Sequence, residues 1–91
     1  MAELSLRDFN VGEQWEMGVG TSFWPAELIE ASPLAESGRA GGSFRLEFRG
    51  AVDPLLPQGT YTFRREGAAH EIFVCPIGRD EAGTRYEAVF Y

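Results

Sequence analysis

The sequence predicts a small all-β domain: an antiparallel barrel or sandwich of about six strands with a short N-terminal helical turn. Apolar and polar residues alternate over several short segments, as in strands with one buried face. Glycine and proline separate these segments at short intervals, and no segment has the helical spacing of a long helix. With 91 residues and one hydrophobic block, the chain is expected to form a single domain, residues 1–91.

The N-terminal residues predict one helical turn followed by a strand. Ser5 and Asp8 stand three residues apart, the spacing of a capping box, so residues 5–9 are expected to form a capped turn. The apolar period then becomes two, and Glu13–Val19 is predicted to be a strand. Its apolar residues share one face: Trp15, Met17 and Val19.

Phe23–Ala31 is predicted to be the second strand, and Ser32-Pro33 is expected to end it. Pro25 has no backbone N–H to donate to a neighbouring strand, so it favours an edge strand or a bulge. The small polar segment Ser37–Gly42 is predicted to be the most mobile loop.

The third strand has the clearest pattern in the chain. Phe44, Leu46 and Phe48 alternate with charged residues, as in a strand with one buried face and one solvated face. Gly50–Gly59 contains two prolines and is predicted to be a long connection.

The C-terminal third predicts three strands in a meander. Thr60–Arg65, His70–Ile77 and Thr84–Tyr91 have strand-like composition and are separated by Gly67 and by Gly78–Gly83. Tyr86, Ala88 and Phe90 would share the core face of the last strand, leaving Arg85, Glu87 and Val89 outward.

Three motifs carry a family resemblance: Phe48-Arg49-Gly50, the turn Leu56-Pro57-Gln58-Gly59-Thr60-Tyr61, and the ending Tyr86-Glu87-Ala88-Val89-Phe90. With the opening Leu6-Arg7-Asp8-Phe9, the chain resembles a small bacterial family of all-β domains of unknown function. Genes of that family often lie beside those for tail-collar or microcystin-dependent-type fibre proteins. The resemblance therefore implies a structural or assembly partner and no catalytic residue. The segment Phe23–Gly42 departs most from the family pattern.

The composition excludes several classes of function. Fourteen acidic residues against eight arginines give a net charge of −6, which repels nucleic acids and anionic membranes. One histidine, one cysteine and no lysine leave no Schiff-base chemistry, no disulfide framework and no Cys/His zinc site. We therefore expect no metal, no cofactor, no nucleic-acid partner and no membrane partner.

The sequence does not predict an enzyme. His70 is the only candidate base, and it lies five residues from Cys75, so the two point to opposite faces of a regular strand. No serine occupies a Gly-x-Ser-x-Gly elbow. The one basic concentration could form an anion patch, although glutamates of the same meander are expected to pair with it. Its members are Arg45, Arg49, Arg64 and Arg65.

The most informative feature is an excess of apolar residues. The strand His70–Ile77 is apolar on both faces, with Ile72 and Val74 on one face and Phe73, Cys75 and Ile77 on the other. A domain with one core buries one face, so the N-terminal segment or a partner must cover the second. Trp24, next to Pro25, is either a core residue or a surface anchor. The candidate interface residues are Trp24, Pro25, Phe73 and Ile77.

These observations predict a non-enzymatic protein-interaction or structural module, an accessory of a larger fibre or phage-tail-like assembly, with a protein partner or self-association. The alternative is a small-ligand or carbohydrate-binding domain, in which Trp or Tyr beside Asp, Asn or Gln would line a concave site. Residues 1–10 lack the pattern of a signal peptide and Cys75 is the one cysteine, so the expected location is the cytoplasm.

Overall fold

Six antiparallel strands close into a barrel in the computed structural model, which describes residues 4–35 and 38–91. A 3₁₀ turn at Leu6–Asp8 precedes β1 (Gln14–Val19), β2 (Ser22–Pro33), β3 (Phe44–Gly50), β4 (Gly59–Arg65), β5 (Ala68–Asp80) and β6 (Gly83–Phe90). The order around the barrel is β1-β2-β3-β6-β5-β4, and β4 pairs with β1 to close it. The predicted fold class is confirmed, and the barrel is the form it takes.

The helical turn forms where the capping pattern predicts it. The backbone N–H of Ser5 donates to the Asp8 carboxylate over 2.8 Å, which satisfies a donor that the turn itself cannot. The turn ends at Phe9, whose backbone is extended and whose side chain enters the core.

The core occupies the barrel interior and contains most of the residues that the alternation predicts. Its buried apolar members are Phe9, Trp15, Met17, Ala26, Leu28, Phe44, Leu46, Phe48, Tyr61, Phe63, Ile72, Val74, Tyr86 and Ala88. Val19, which alternates with Trp15 and Met17 along β1, is outside this set and is 58% exposed. Val19 is the last residue of β1, beside the turn at the barrel mouth, where few core side chains remain to cover it.

Pro25 predicted an edge strand or a bulge, and β2 has both features at different positions. The first pair between β2 and β3 joins Ala26 and Gly50, so residues 22–25 pair with β1 alone among the described residues. Pro25 therefore lies on a local edge, as predicted. The bulge lies further along, between Leu28 and Glu30. Of the predicted loop Ser37–Gly42, Ser37 lies outside the described residues.

The predicted meander is confirmed, but β5 is longer than expected. It extends from Ala68 to Asp80, and only two residues separate it from β6. Gly78 was assigned to a turn because glycine usually interrupts a strand. Here it lies after a register shift, and the side chain of Arg85 occupies the space where a Cβ would be.

The strand β5 forms a corner of the barrel. Residues 68–74 pair with β4 and residues 75–80 with β6, so within the part of the chain that the structure describes no residue of β5 has strand partners on both sides. Phe9 packs inside one resulting gap, against the rings of Trp15, Phe44, His70 and Phe90.

The connection 51–58 fills the other gap. The backbone N–H of Leu56 donates to the Tyr86 hydroxyl over 3.0 Å, and the Tyr61 hydroxyl donates to the Pro57 carbonyl over 2.6 Å. Two non-strand segments thus complete the enclosure of the core.

Candidate interaction face

The outward face of β5 is apolar and uncovered. Ile72 and Val74 are buried, whereas Phe73 is 53% exposed and Ile77 is 44% exposed. The prediction of two apolar faces on this strand is therefore confirmed. The described part of the N-terminal segment packs on the interior side, against Phe44 and Phe90, which leaves the outward face of β5 open.

The neighbouring strand β6 extends the apolar surface. Pairing between β5 and β6 begins at Cys75 and Glu87, and this register, continued by two residues, would place Phe73 opposite Val89. Val89 is 53% exposed and Tyr91 is 70% exposed. We call the boundary between residues 68–74 and 88–91 the seam.

Backbone groups along the seam have no strand partner among the described residues. The two-residue turn between β4 and β5 closes on the pair Arg65 and Ala68, which in such a turn is hydrogen-bonded. Alternation then directs the backbone groups of Ala69, Glu71 and Phe73 away from β4, towards the seam. The same alternation along β6, counted from Gly83 in the turn pair Asp80 and Gly83, directs the backbone N–H and C=O groups of Val89 towards β5.

Charged residues on the adjacent outward surface are paired. Three glutamates lie side by side across β2, β3 and β6, in the register Glu30–Glu47–Glu87. Arg45 donates to all three carboxylates, over 2.6, 3.1 and 2.8 Å respectively. Hydrogen bonding to Glu47, outweighing desolvation and joined by Glu87 and Glu30, raises the pKa of Arg45 above its ordinary value.

The other predicted arginines are mostly paired too. Arg64 contacts Glu16 over 2.9 Å and also lies 3.5 Å from the centre of the Phe23 ring. Arg65 contacts Glu66 and Glu13. Pairing with glutamates of the same meander, the expectation favoured over an anion patch, thus holds for Arg45 and Arg65, whereas Arg64 pairs with Glu16 on β1 instead.

A cleft of about 490 Å³ lies where the helical turn meets the β4–β5 turn, with Arg7, Arg65 and His70 in its lining. Glu13, also in this lining, accepts hydrogen bonds from the Asn10 backbone, the Asn10 amide and the Trp15 indole. Burial alone would raise the pKa of Glu13, but these hydrogen bonds and the charge of Arg65 outweigh it and lower the pKa.

His70 and Cys75 do not form a joint site. The His70 ring lies 6.4 Å from that of Phe9 and 6.1 Å from that of Trp15, measured between centroids. The Cys75 sulfur lies on the outward side, 3.7 Å from an oxygen of Gln58. Within the described part of the chain, no group of three or more His, Cys, Asp or Glu side chains is placed to hold a metal ion.

The four predicted interface residues do not lie together. Phe73 and Ile77 are on β5, whereas Trp24 and Pro25 are on β2, which does not neighbour β5. Trp24 is half-buried and pairs with the buried Met17, so it lies on the core side at the barrel mouth. A binding role for any of the four stays a prediction.

Val89 and Tyr91 were not singled out as interface residues. Val89 was predicted to point outward from β6. An outward apolar residue on the strand next to β5, which is apolar on both faces, was the sequence pattern that could have indicated an interface residue. The meander predicts that β5 and β6 are neighbours, but the register between them, with its shift between Pro76 and Gly78, is not given by the sequence pattern.

The fold and this face define a small antiparallel six-stranded barrel domain with a partly uncovered apolar surface. Within residues 4–35 and 38–91, no helix has the length and apolarity needed to cross a membrane. The chain belongs to the family described as Domain of unknown function (DUF6916), whose profile matches residues 4–90. Comparison with curated proteins gives no significant match, and neither does comparison with solved structures.

Proposed function

We propose that this domain is a non-enzymatic protein-interaction module that binds a protein partner through the face around the seam. The observation that carries the proposal is the exposure of four large apolar side chains on β5, on β6 and directly after β6: Phe73, Ile77, Val89 and Tyr91. Adjacent exposed apolar residues of this size, with an aromatic anchor among them, are typical of binding surfaces.

The surroundings of the face support binding rather than chemistry. Arg45 is engaged by three carboxylates, His70 packs on aromatic rings, and Cys75 lies on the opposite side of β5 from His70. The contacts of Arg45 and His70 are therefore structural ones.

The partner we propose is a component of a larger fibre or phage-tail-like assembly, for which the domain is an accessory. This level of the proposal is supported by the family resemblance of the motifs and by the absence of nucleic-acid or lipid affinity expected from a net charge of −6. We place the binding event in the bacterial cytoplasm.

A small-ligand site in the cleft beside His70 is the alternative. Sugar recognition would need an aromatic face open to the ligand. In this cleft Trp15 is buried and its indole N–H is engaged by Glu13, which favours the interaction module.

Site-specific photo-crosslinking tests the proposal. A photoreactive phenylalanine analogue is placed at Phe73 or Val89, and at Gln14, an exposed β1 residue, as the matched control. After irradiation of cells of the source organism, we expect Phe73 and Val89 to yield one predominant adduct, which mass spectrometry assigns to a fibre or tail-like component. Adducts no more abundant than those from Gln14 would refute the proposal.

A further inference from the structure

We propose that the seam binds its partner by strand addition: an extended segment of the partner pairs with the backbone of β5 at Ala69, Glu71 and Phe73. This inference rests on the proposed function and specifies the class of partner. The observation that carries the inference is that β5 pairs with β6 only from Cys75 onwards. The backbone donors and acceptors of the preceding residues, up to Phe73, therefore form a row next to an exposed apolar surface. Such an edge is a template for another strand.

The backbone geometry supports an extended occupant rather than a helical one. The N–H and C=O groups directed to the seam recur at every second residue of β5, which matches the spacing of an added strand. Among the described residues, no hydrogen bond beyond the strand ladders engages the backbone of residues 68–74 or 88–91. A helix docked here would leave these groups unsatisfied.

The side chains specify the occupant further. Phe73 and Val89 project outward beside the seam and favour apolar residues at alternate positions of the added strand. Glu71 is exposed on the same row and the chain carries a net charge of −6, so basic residues flanking the apolar ones are favoured. A second copy of the chain would bring another Glu71 and the same net charge, which disfavours self-pairing.

The test uses the full chain and a short synthetic peptide with valine at alternate positions and lysine at both ends. The matched control peptide has the same sequence with N-methylated valines, which removes backbone donors and keeps the side chains. We expect the N-methylated peptide to bind at least about tenfold more weakly, because it has lost the backbone donors that would pair with the seam. We also expect the unmodified peptide to slow amide hydrogen exchange at Ala69, Glu71, Phe73 and Val89.

A variant pair tests the same point from the chain. Glu71→Pro removes a donor directed at the seam and leaves the ladder with β4 intact, because residues 70 and 72 supply that ladder. Glu71→Gln is the matched control and keeps the donor. Peptide binding should be lost in Glu71→Pro and retained in Glu71→Gln. If Glu71→Pro fails to fold, the comparison of the unmodified and N-methylated peptides on the native chain still tests strand addition.

Three outcomes overturn the inference: no binding at the highest soluble peptide concentration, equal binding of the two peptides, or exchange protection that appears with chain concentration alone. The last would assign the seam to a second copy. Crosslinks from Phe73 to a partner, together with any of these outcomes, would leave the proposed function standing and remove only strand addition.

Discussion

At the scale of single residues, Arg45 makes the largest cluster of ion pairs on the outer surface among the described residues, with three glutamates. Its guanidinium contacts all three glutamates, whose backbones lie in register on β2, β3 and β6, and Arg85 adds one contact of 3.3 Å to Glu47. Like charges directly opposite on neighbouring strands destabilise a sheet, so the arginine converts a repulsive row into an attractive cluster.

Replacing Arg45 with alanine should therefore lower the free energy of unfolding by about 1–3 kcal/mol, because the half-buried charged hydrogen bonds are lost and the glutamates then repel. Arg79→Ala is the control: its pair with Asp53 is long, 3.7 Å, and exposed, so its loss should cost at most about 0.5 kcal/mol. Urea unfolding of both variants measures the difference, and equal costs would contradict the central role of Arg45.

Glu13 predicts a pH dependence of stability. Its pKa is lowered in the folded chain, so its ionised form stabilises the fold above the unfolded pKa of about 4.3, and this contribution disappears as the pH falls through the lower folded pKa. Glu13→Gln should lower the free energy of unfolding by about 1 kcal/mol at pH 7 and by less at pH 3. Chemical unfolding at the two pH values measures this, with Glu81→Gln, on an exposed turn, as the control. A difference that does not shrink in acid would contradict the assignment.

At the scale of elements, β6 lies between two partner strands, β3 and β5, and also contributes to the core. Residues 84–90 of β6 pair with β3 and residues 83–87 pair with β5, and its last aromatic residue packs at the barrel end. Phe90 stacks on Phe44, with ring centroids 4.4 Å apart and planes 13° from parallel. A strand at the C-terminus of the described residues is thus part of the core.

Phe90→Asp should lower the free energy of unfolding by at least about 2–3 kcal/mol, from lost burial and added desolvation. Val89→Asp, one residue earlier and outward, should change it by no more than about 0.5 kcal/mol. Thermal melts followed by circular dichroism compare the two variants. A melt of Phe90→Asp at the parent temperature would show that the end of β6 is dispensable.

At the scale of the whole molecule, closure makes the ends of the barrel depend on one another. The six strands share one core, with Trp15 near the end closed by Phe9 and Trp24 at the opposite mouth. Loss of either closing segment would open the same interior to water. We expect a single cooperative transition for the entire barrel.

Single-tryptophan variants test this cooperativity. Trp24→Phe leaves Trp15 as the reporter at one end, and Trp15→Phe leaves Trp24 at the other. Within each variant, fluorescence and far-ultraviolet circular dichroism should give the same urea midpoint. Fluorescence of Trp24 changing at a lower urea concentration than circular dichroism would show that the mouth opens independently of the barrel.

The strands, most of their buried faces and the meander are predictable from the sequence, because alternation, capping and turn residues act over neighbouring positions. Phe44, Leu46 and Phe48 are buried, and Ser5 with Asp8 caps the turn, as the local pattern predicts. The apolar second face of β5 was also predictable from the sequence, since the apolar Phe73 lies between Ile72 and Val74 in the chain.

The tertiary structure alone decided what lies beside that face. Strand order separates Trp24 from Phe73, and the change of partner strand at Cys75 leaves the backbone of Ala69, Glu71 and Phe73 without a strand partner among the described residues. Likewise the Glu30–Glu47–Glu87 row exists only through pairing between strands distant in sequence. The physical reason is that periodicity specifies which way a side chain points, whereas barrel closure specifies which strands become neighbours.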